Sequence, residues 1–357
     1  MSKNLKFDIL RTVLAIGIAL LIAIIIIFLV SKEPLIAIQS LLIGPLGTVR
    51  HFGNVIEMTI PLVFTGLAVS IMFKASQFNL GAEGAFFAGA IGAAIIAMKV
   101  ALPVVIHPLV AILIGGLIGA IITGIPAILK VRWGASELVS SLMLNYVAFF
   151  IGLYLINYFF RDVTAGAMVS MPFLATSILP PIIPGTRIHF GIIIAAIMTV
   201  LTYYYMYKSK RGYEIILTGE NIKFAEYSGI KTGSVILTAQ LIGGFIAGVG
   251  GATELLGMYN RFAWQALPGY GWDGVIVAIL ARNNPALVPI AAFFLAYLRI
   301  GADIMSRMSD VQNDVIAIIQ GVMIVLIVAT SFLAKYRHKL TFNEAKETLG
   351  EVVREGK

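Results

Sequence analysis

Cysteine is absent from the 357-residue sequence, which excludes disulfide bonds, thiol chemistry and any zinc site built on cysteine ligands. The four histidines lie far apart in the sequence, and none forms a ligand pair of the HExxH kind. No phosphate-binding loop is apparent either. Residues 229–233 contain a Lys-Thr pair but lack the glycine–lysine step that such a loop needs, and no other segment supplies one. We therefore predict no metal, no cofactor and no enzymatic activity in this chain, and no ATPase motif of its own.

Charge is also scarce. Only 12% of the residues are charged, about half of the ~25% that is usual in soluble domains, whereas 59% are hydrophobic and the mean hydropathy is +0.95. A soluble globule cannot bury so much apolar surface, so soluble enzymes, disordered chains and fibrous repeats are excluded. The net charge of +8 does not point to nucleic acid, because basic loops orient membrane proteins. The composition predicts a polytopic membrane protein.

Apolar runs of membrane-spanning length recur along the chain, and we predict about ten transmembrane helices. They lie near residues 11–30, 54–73, 79–98, 104–128, 137–158, 188–207, 234–257, 272–282, 285–301 and 312–334. The eighth is short and is followed by a polar break, so residues 272–301 form either one broken helix or two. Because backbone groups in lipid must bond internally and no strand-period pattern is present, the fold class is an all-α integral membrane protein. Close helix packing is predicted by the small-residue spacings Gly115/Gly119 and Gly244/Gly248.

The distribution of basic residues predicts the orientation. An even number of helices places both termini on one side, and that side receives 18 of the 26 lysine and arginine residues. The side richer in basic residues is normally cytoplasmic, so both termini are predicted to be cytoplasmic. The transmembrane domain then covers residues 1–334, with loop 159–187 outside and loop 208–233 inside, and residues 335–357 form a charged cytoplasmic tail.

The inner loop 208–233 has the most informative pattern. It is polar at both ends and apolar between them, which predicts a short helix along the membrane surface. Gly219 and Gly229 would allow sharp turns on either side of it. Such a helix can dock into a groove of a soluble partner, although an ordinary surface helix between two spans has the same composition. Its apolar residues are Ile222, Phe224, Ala225 and Ile230.

A family resemblance rests on this loop and on three further segments. The motif Gly-x-Asn-x-x-x-Ala-x-Tyr-x-Gly-Ile at residues 219–230 resembles the coupling loop of bacterial ABC importer permeases for simple sugars, nucleosides and branched-chain amino acids. The other segments occur in family order and are similar to the nucleoside-type members. They read Gly66-Leu-Ala-Val69 with Phe78-Asn-Leu-Gly-Ala-Glu-Gly84, Met143-Leu-Asn-Tyr146 and Gly271-Trp-Asp-Gly-Val-Ile-Val-Ala-Ile-Leu280. Two positions depart from the family pattern: Ala85 replaces a common glutamine, and residues 281–284 replace common glycines.

The resemblance implies a permease subunit of an ABC importer in the bacterial cytoplasmic membrane. It implies that nucleosides or related small solutes are translocated by ATP-driven alternating access, the ATPase being a separate subunit. The other implied partners are a second permease subunit, identical or related, and an extracytoplasmic substrate-binding lipoprotein. Two alternatives stay open: a simple-sugar or riboflavin-type ABC permease, and a stand-alone ion-coupled transporter, which would want paired intramembrane acids and internal repeats.

Two groups of candidate residues follow. The first is implied by the resemblance to couple the permease to the ATPase and comprises Gly212, Tyr213, Glu214, Gly219, Asn221, Ala225, Tyr227 and Gly229. The second is predicted to line the solute path and comprises Asn79, Glu83, Asn145, Trp272 and Asp273.

Each path residue also has a structural interpretation. A carboxylate at Glu83 is costly in lipid, so it either lines a wet path or braces the glycine-rich helix start, where the helix dipole favours an acid. Asn145 binds either a solute hydroxyl or a neighbouring helix. Trp272 and Asp273 either stack on a ring and accept from a hydroxyl, or serve as an interfacial aromatic and a capping acid. Three further acids, Glu57, Glu137 and Glu254, lie isolated in apolar runs.

Overall fold

The computed structural model describes residue 17, residues 21–311 and residues 318, 321, 322 and 325. Within these residues every regular element is helical, and strand-like pairing is limited to two isolated bridges, Arg161 with Ser170 and Pro181 with His189. The prediction of an all-α chain is confirmed for this part of the sequence.

The described residues form twelve α-helices, joined by short connections except for the segment between α6 and α7. They are α1 (Leu21–Val30), α2 (Pro34–Leu42), α3 (Val49–Lys74), α4 (Ala82–Lys99), α5 (Ile106–Trp133), α6 (Glu137–Phe159), α7 (Gly191–Lys208), α8 (Lys210–Glu220), α9 (Ile222–Tyr227), α10 (Thr232–Met258), α11 (Tyr270–Leu280) and α12 (Val288–Met308). Two 3₁₀ turns are added at Gly44–Leu46 and Ala175–Ser177.

Seven of these helices are long and apolar enough to cross a membrane, namely α3, α4, α5, α6, α7, α10 and α12. Each coincides with a predicted span, and the chain is a multi-pass membrane protein. The predicted eighth span is α11, which with 11 residues is about 16 Å long and does not reach across a ~30 Å hydrocarbon core by itself. Most of residues 11–20 and 312–334, and the whole tail 335–357, lie outside the described residues.

The prediction for residues 272–301 is resolved in favour of two helices, because the chain leaves the helical conformation after α11. Arg282 and Asn283 both adopt left-handed backbone angles with φ of 53°. This conformation is unfavourable for side chains with a Cβ and ends the helix, and Pro285 follows.

The chain divides into two compact units. The larger is Pro45–Ile300, and the smaller combines Met1–Gly44 with Gly301–Lys357. In the smaller unit, Ser31 Oγ donates to Asp310 Oδ1 at 2.5 Å and the Lys32 N–H donates to Asp310 Oδ2 at 2.7 Å. These hydrogen bonds hold the pKa of Asp310 below its usual range. The segment between α1 and α2 is thereby tied to the end of α12.

The core of the larger unit forms where α10 packs on α3, α4 and α5. A Cβ added at Gly89 of α4 would lie 2.5 Å from the Cα of Gly248, and one at Gly115 of α5 would lie 2.7 Å from the Gly89 carbonyl oxygen. A Cβ at Gly119 would overlap the carbonyl of Gly244. No side chain fits in this space, so the backbones touch directly and the predicted close packing is confirmed.

The segment between α6 and α7 is irregular but hydrogen-bonded to the helices beneath it. The Leu174 N–H donates to the Ala97 carbonyl and the Leu179 N–H donates to the Leu256 carbonyl, both at 2.9 Å. Asp162 accepts hydrogen bonds from Thr164 and pairs with Arg261 at 2.6 Å, and these contacts hold the pKa of Asp162 below its usual range. The loop therefore has a fixed conformation that covers one end of the helices.

Candidate functional site

The predicted inner loop folds as two short helices, α8 and α9. Ser209 caps α8 by accepting a hydrogen bond from the Gly212 N–H at 3.0 Å, and Asn221 caps α9 by accepting one from the Phe224 N–H at 3.0 Å. Gly229 has φ of 80° and ends the segment in a left-handed turn before α10 begins. The surface of α8 and α9 is called the α8–α9 surface below.

Two glycines allow α8 to approach the membrane helices. A Cβ on Gly212 would overlap the carbonyl oxygens of Tyr205 and Met206 at the end of α7, and a Cβ on Gly219 would overlap the carbonyl of Lys74 at the end of α3. The Ser76 hydroxyl donates to the Gly219 carbonyl at 2.5 Å. The α8–α9 surface is therefore attached directly to the end of α3.

The outer side of α9 exposes large side chains around one buried residue. Ala225 is fully buried, whereas Tyr227 is 92% exposed and Phe224 and Ile222 are also exposed. On α8, Tyr213 is exposed as well, and the neighbouring Glu214 pairs with Arg211 at 3.0 Å. The structure thus places all eight predicted coupling residues in one segment, with their aromatic members turned outwards.

A second site forms at the start of α4, where α6 holds the chain by polar side chains. Asn145 Oδ1 accepts from the Gly84 N–H and Asn145 Nδ2 donates to the Leu80 carbonyl, each at 2.9 Å. Ser141, one helical turn earlier, accepts from the Leu80 N–H at 3.0 Å. Asn79 accepts from the Gly81 N–H at 2.7 Å and so closes the turn before the helix. These amide groups are buried and satisfy main-chain groups.

Glu83 joins this helix start to α11. Its Oε1 accepts from the Gly269 N–H at 2.7 Å and its Oε2 accepts from the Gly271 N–H at 2.5 Å. The carboxylate therefore caps the N-terminus of α11, where unpaired N–H groups and the helix dipole favour negative charge. Gly269 has φ of 86°, and a Cβ on Gly271 would lie 2.5 Å from the Cα of Glu83, so both glycines are required for this contact.

The other two predicted path residues lie in the first turn of α11. Asp273 is buried and pairs through Oδ1 with Arg299 of α12, whereas Trp272 is half exposed. Asp273 is close enough to Glu83 for the two charges to interact. Asn79, Glu83, Asn145 and Asp273 thus lie buried around the start of α4, and Trp272 alone among the five predicted path residues has a half-exposed ring.

Sequence reasoning missed the partners of these residues. Ser141 lies four residues before Asn145 on the same helix face, so its role was readable from helical spacing. Arg299 lies in a different apolar run from Asp273 and gave no such signal. The isolated acids also have partners in space, since Glu137 pairs with Lys130 at 2.9 Å and Glu254 lies near Glu57. Among the described residues, no group of three or more histidine, aspartate or glutamate side chains is arranged to hold a metal ion.

Comparison with known proteins gives consistent matches over most of the chain. Residues 51–328 match the family model described as branched-chain amino acid transport system / permease component. The glucose ABC transporter permease protein TsgB13 of Haloferax volcanii is 30% identical over 323 residues, 88% of this chain and 85% of that protein. The guanosine ABC transporter permease protein NupP of Bacillus subtilis is 30% identical over 300 residues, 82% of this chain and 85% of that protein. The nucleoside ABC transporter permease protein NupB of Lactococcus lactis is 26% identical over 341 residues, 92% of this chain and 93% of that protein. The chain belongs to the family of branched-chain amino acid transport system permease components, which includes nucleoside and sugar ABC transporter permeases.

Proposed function

We propose that this chain is the permease subunit of an ABC importer and that a separate ATPase subunit docks on the α8–α9 surface to drive it. Family membership supports the transporter class. Because the ATPase is cytoplasmic, we propose that the α8–α9 surface and both termini face the cytoplasm. The chain then makes ten crossings, one of which combines α11 with the segment 259–269 before it. The protein then resides in a bacterial cytoplasmic membrane.

The observation that carries the docking proposal is the exposure pattern of α9. Ile222, Phe224 and Tyr227 are exposed, yet charged Lys223 and Glu226 alternate with them on a six-residue helix. A lipid environment would leave the charged residues unsolvated, whereas a protein groove accepts aromatic anchors with a polar rim. Aromatic side chains of this kind contribute most of the binding energy at protein interfaces.

The attachment of this surface supports a mechanical role. Ser76 and Lys74 connect α8 to the end of α3, and α9 leads through Gly229 into α10. Since α3 and α10 pack on each other in the core of the larger unit, a displacement of the α8–α9 surface moves two packed helices together. Closure of the ATPase on ATP would thus reorient the helices and open the solute path alternately to the two sides.

The solute is proposed to be a nucleoside or a simple sugar. The names of the relatives support this range, because they specify glucose, guanosine and nucleosides for proteins that are 30%, 30% and 26% identical to this chain. A second permease subunit, identical or related, completes the path, and an extracytoplasmic lipoprotein delivers the solute. Asn79, Glu83, Asn145, Trp272 and Asp273 are the proposed path residues, with Trp272 available for ring stacking.

The docking proposal predicts that Tyr227→Ala weakens the ATPase complex by about tenfold or more, because an exposed aromatic anchor is lost. The measurement is co-purification of the ATPase with the complete transporter, together with solute-stimulated ATP hydrolysis. Tyr158→Ala is the matched control, since Tyr158 is equally aromatic and 78% exposed but belongs to α6.

A second variant separates docking from coupling. In Gly219→Val the new side chain meets the Lys74 carbonyl, so we expect the ATPase still to bind but solute-stimulated hydrolysis to be lost. Unchanged solute-stimulated hydrolysis in both Tyr227→Ala and Gly219→Val would contradict the proposed coupling of the α8–α9 surface to the ATPase.

A further inference from the structure

Two acids that look isolated in the sequence come together in the structure. The carboxyl groups of Glu57 on α3 and Glu254 on α10 lie at hydrogen-bonding separation, and the Tyr270 hydroxyl of α11 donates a hydrogen bond to Glu254. Glu254 is 1% exposed, and Glu57 is partly buried. This acid pair joins three helices and belongs to neither of the two sites described above.

The acid pair lies at the end of the larger unit that is opposite the α8–α9 surface. Glu57 precedes Lys74, which contacts α8, by 17 residues on α3, or about 25 Å along the helix axis. Glu254 is near the end of α10, whereas α9 leads into the start of that helix. In the proposed orientation, the acid pair therefore lies towards the outer face of the membrane.

A hydrogen bond between two carboxyl groups requires a proton. An ionised carboxylate can only accept hydrogen bonds, so one of the two groups must be protonated in order to donate. If both were ionised, two like charges would face each other at close range in a buried place, which is strongly unfavourable. Because the two groups titrate together, the proton belongs to the pair and not to either residue.

The groups around the acid pair do not replace this proton. Arg187 interacts electrostatically with Glu57, but its side chain is exposed and it can offset at most one of the two negative charges. The hydroxyls of Tyr259 and Tyr270 are neutral donors near the pair. Asp273, which interacts with Tyr270, is itself paired with Arg299. A second negative charge in the acid pair would therefore stay without a partner.

His189, in the segment before α7, points to the same conclusion. Its side chain is 1% exposed, and its Nε2 lies 3.9 Å from Glu254 Oε2 without a hydrogen-bond partner in the described part of the chain. The Gly191 N–H donates to His189 Nδ1 at 3.1 Å, so Nδ1 carries no proton and the ring is neutral with its proton on Nε2. The buried ring thus directs a donor towards Glu254 but brings no positive charge.

We propose that Glu57 and Glu254 form a proton-binding site whose single shared proton holds the ends of α3, α10 and α11 together. When the proton is released to the solution at high pH, two carboxylates face each other with only the exposed Arg187 to offset them, and these helix ends separate. The site itself rests on contacts within one chain, and only its assignment to the outer face rests on the proposed function.

The proton is tested by the melting temperature of the full-length chain in detergent between about pH 5 and about pH 9. The unfolded chain releases the proton near the ordinary glutamic acid pKa of ~4.3, whereas the folded chain keeps it, so stability falls as the pH rises. We expect the wild-type melting temperature to fall by several degrees over this range. Glu57→Gln should flatten the profile, because an amide is neutral at every pH, and Glu254→Gln serves where the first variant does not assemble.

The control for this profile is Asp303→Asn, which removes an acid from an exposed ion pair and should leave the wild-type slope unchanged. The series is repeated with choline in place of sodium, and an unchanged slope supports the proton. A melting temperature that depends on sodium identifies a bound cation in its place and overturns the proposal. Equal slopes for the wild type and both glutamine variants also overturn it.

Separation of the helix ends is tested by maleimide labelling, because the chain has no cysteine of its own. Leu256→Cys places a thiol at a fully buried position two residues beyond Glu254, and the buried Ile60 of α3 serves in the same way where Leu256→Cys does not assemble. Thiols react faster at high pH, so the rate is divided by that of Val163→Cys, at an 86% exposed position.

We expect this ratio of labelling rates to rise several-fold over the same pH range and to stay constant in the Glu57→Gln background. A ratio that is independent of pH in the wild-type background overturns the separation of the helix ends. Neither measurement needs the ATPase or a solute. Failure of the proton site therefore leaves the docking experiment with Tyr227→Ala unaffected, and failure of docking leaves this site unaffected.

Discussion

At the scale of single residues, two buried polar side chains, Glu83 and Asn145, bond main-chain groups at the starts of other helices. Glu83 accepts two N–H groups from the start of α11, and Asn145 both donates to and accepts from the start of α4. An acid that costs free energy in lipid is thereby used to fix a helix end. A structural function and a place on the solute path are compatible for these residues, since both require a defined helix start.

Glu83→Gln provides a test at this scale. The amide offers one oxygen where the carboxylate offers two, so the N–H of Gly269 or Gly271 faces a donor and the unfolding free energy should fall by about 1–3 kcal/mol. The measurement is the melting temperature of the purified protein in detergent. Asp303→Asn is the matched control, because the Asp303–Arg307 pair is exposed and such pairs contribute little. Equal melting temperatures for Glu83→Gln and the wild type would contradict the capping assignment.

Sequence reasoning identified Glu83 and Asn145 as unusual but could not assign their contacts. The cost of a buried acid is readable from composition, whereas Gly269 follows Glu83 by 186 residues and the pairing depends on tertiary structure. The same limit explains why Glu57, His189 and Glu254 were not predicted to meet. Each looks isolated along the chain, and only the packing of α3, α10 and the start of α7 on one another brings them together.

At the scale of helices, apolar length predicted the spanning elements well because lipid imposes a minimum length on every crossing. The exceptions are short elements. The nine-residue α2 begins at Pro34, directly after a long apolar run, and α11 is only 11 residues long. Both depend on local turns and tertiary contacts rather than on apolar length. The inner loop is a further example, since one surface helix was predicted and two helices, α8 and α9, are formed.

The glycine contacts of α10 lead to a prediction at this scale. Gly248→Leu should cost at least about 1–3 kcal/mol of stability, because the new side chain would occupy space held by the backbones of Gly115 and Gly119. The yield of monodisperse protein and its melting temperature are the measurements. Gly166→Leu is the control, as a Cβ at Gly166 meets nothing within 4 Å. If both variants were equally stable, the direct backbone packing of α5 and α10 would be refuted.

At the scale of the whole molecule, the chain is a membrane permease, and a separate ATPase subunit is proposed to bind its α8–α9 surface and drive transport. The resemblance noted from ordered motifs is confirmed by the family match over residues 51–328. The cytoplasmic position of both termini stays a prediction, because residues 335–357 lie outside the described part of the chain. The motifs did not identify the solute beyond nucleosides, simple sugars or riboflavin-like compounds.

The most direct test of this account is uphill solute uptake by proteoliposomes that contain the permease subunits with or without the ATPase. We predict that guanosine or glucose accumulates only when the ATPase and ATP are both present, and that dissipating proton and sodium gradients with ionophores has no effect. Accumulation by the permease subunits alone, driven by an ion gradient and abolished by ionophores, would contradict the account and favour an ion-coupled transporter.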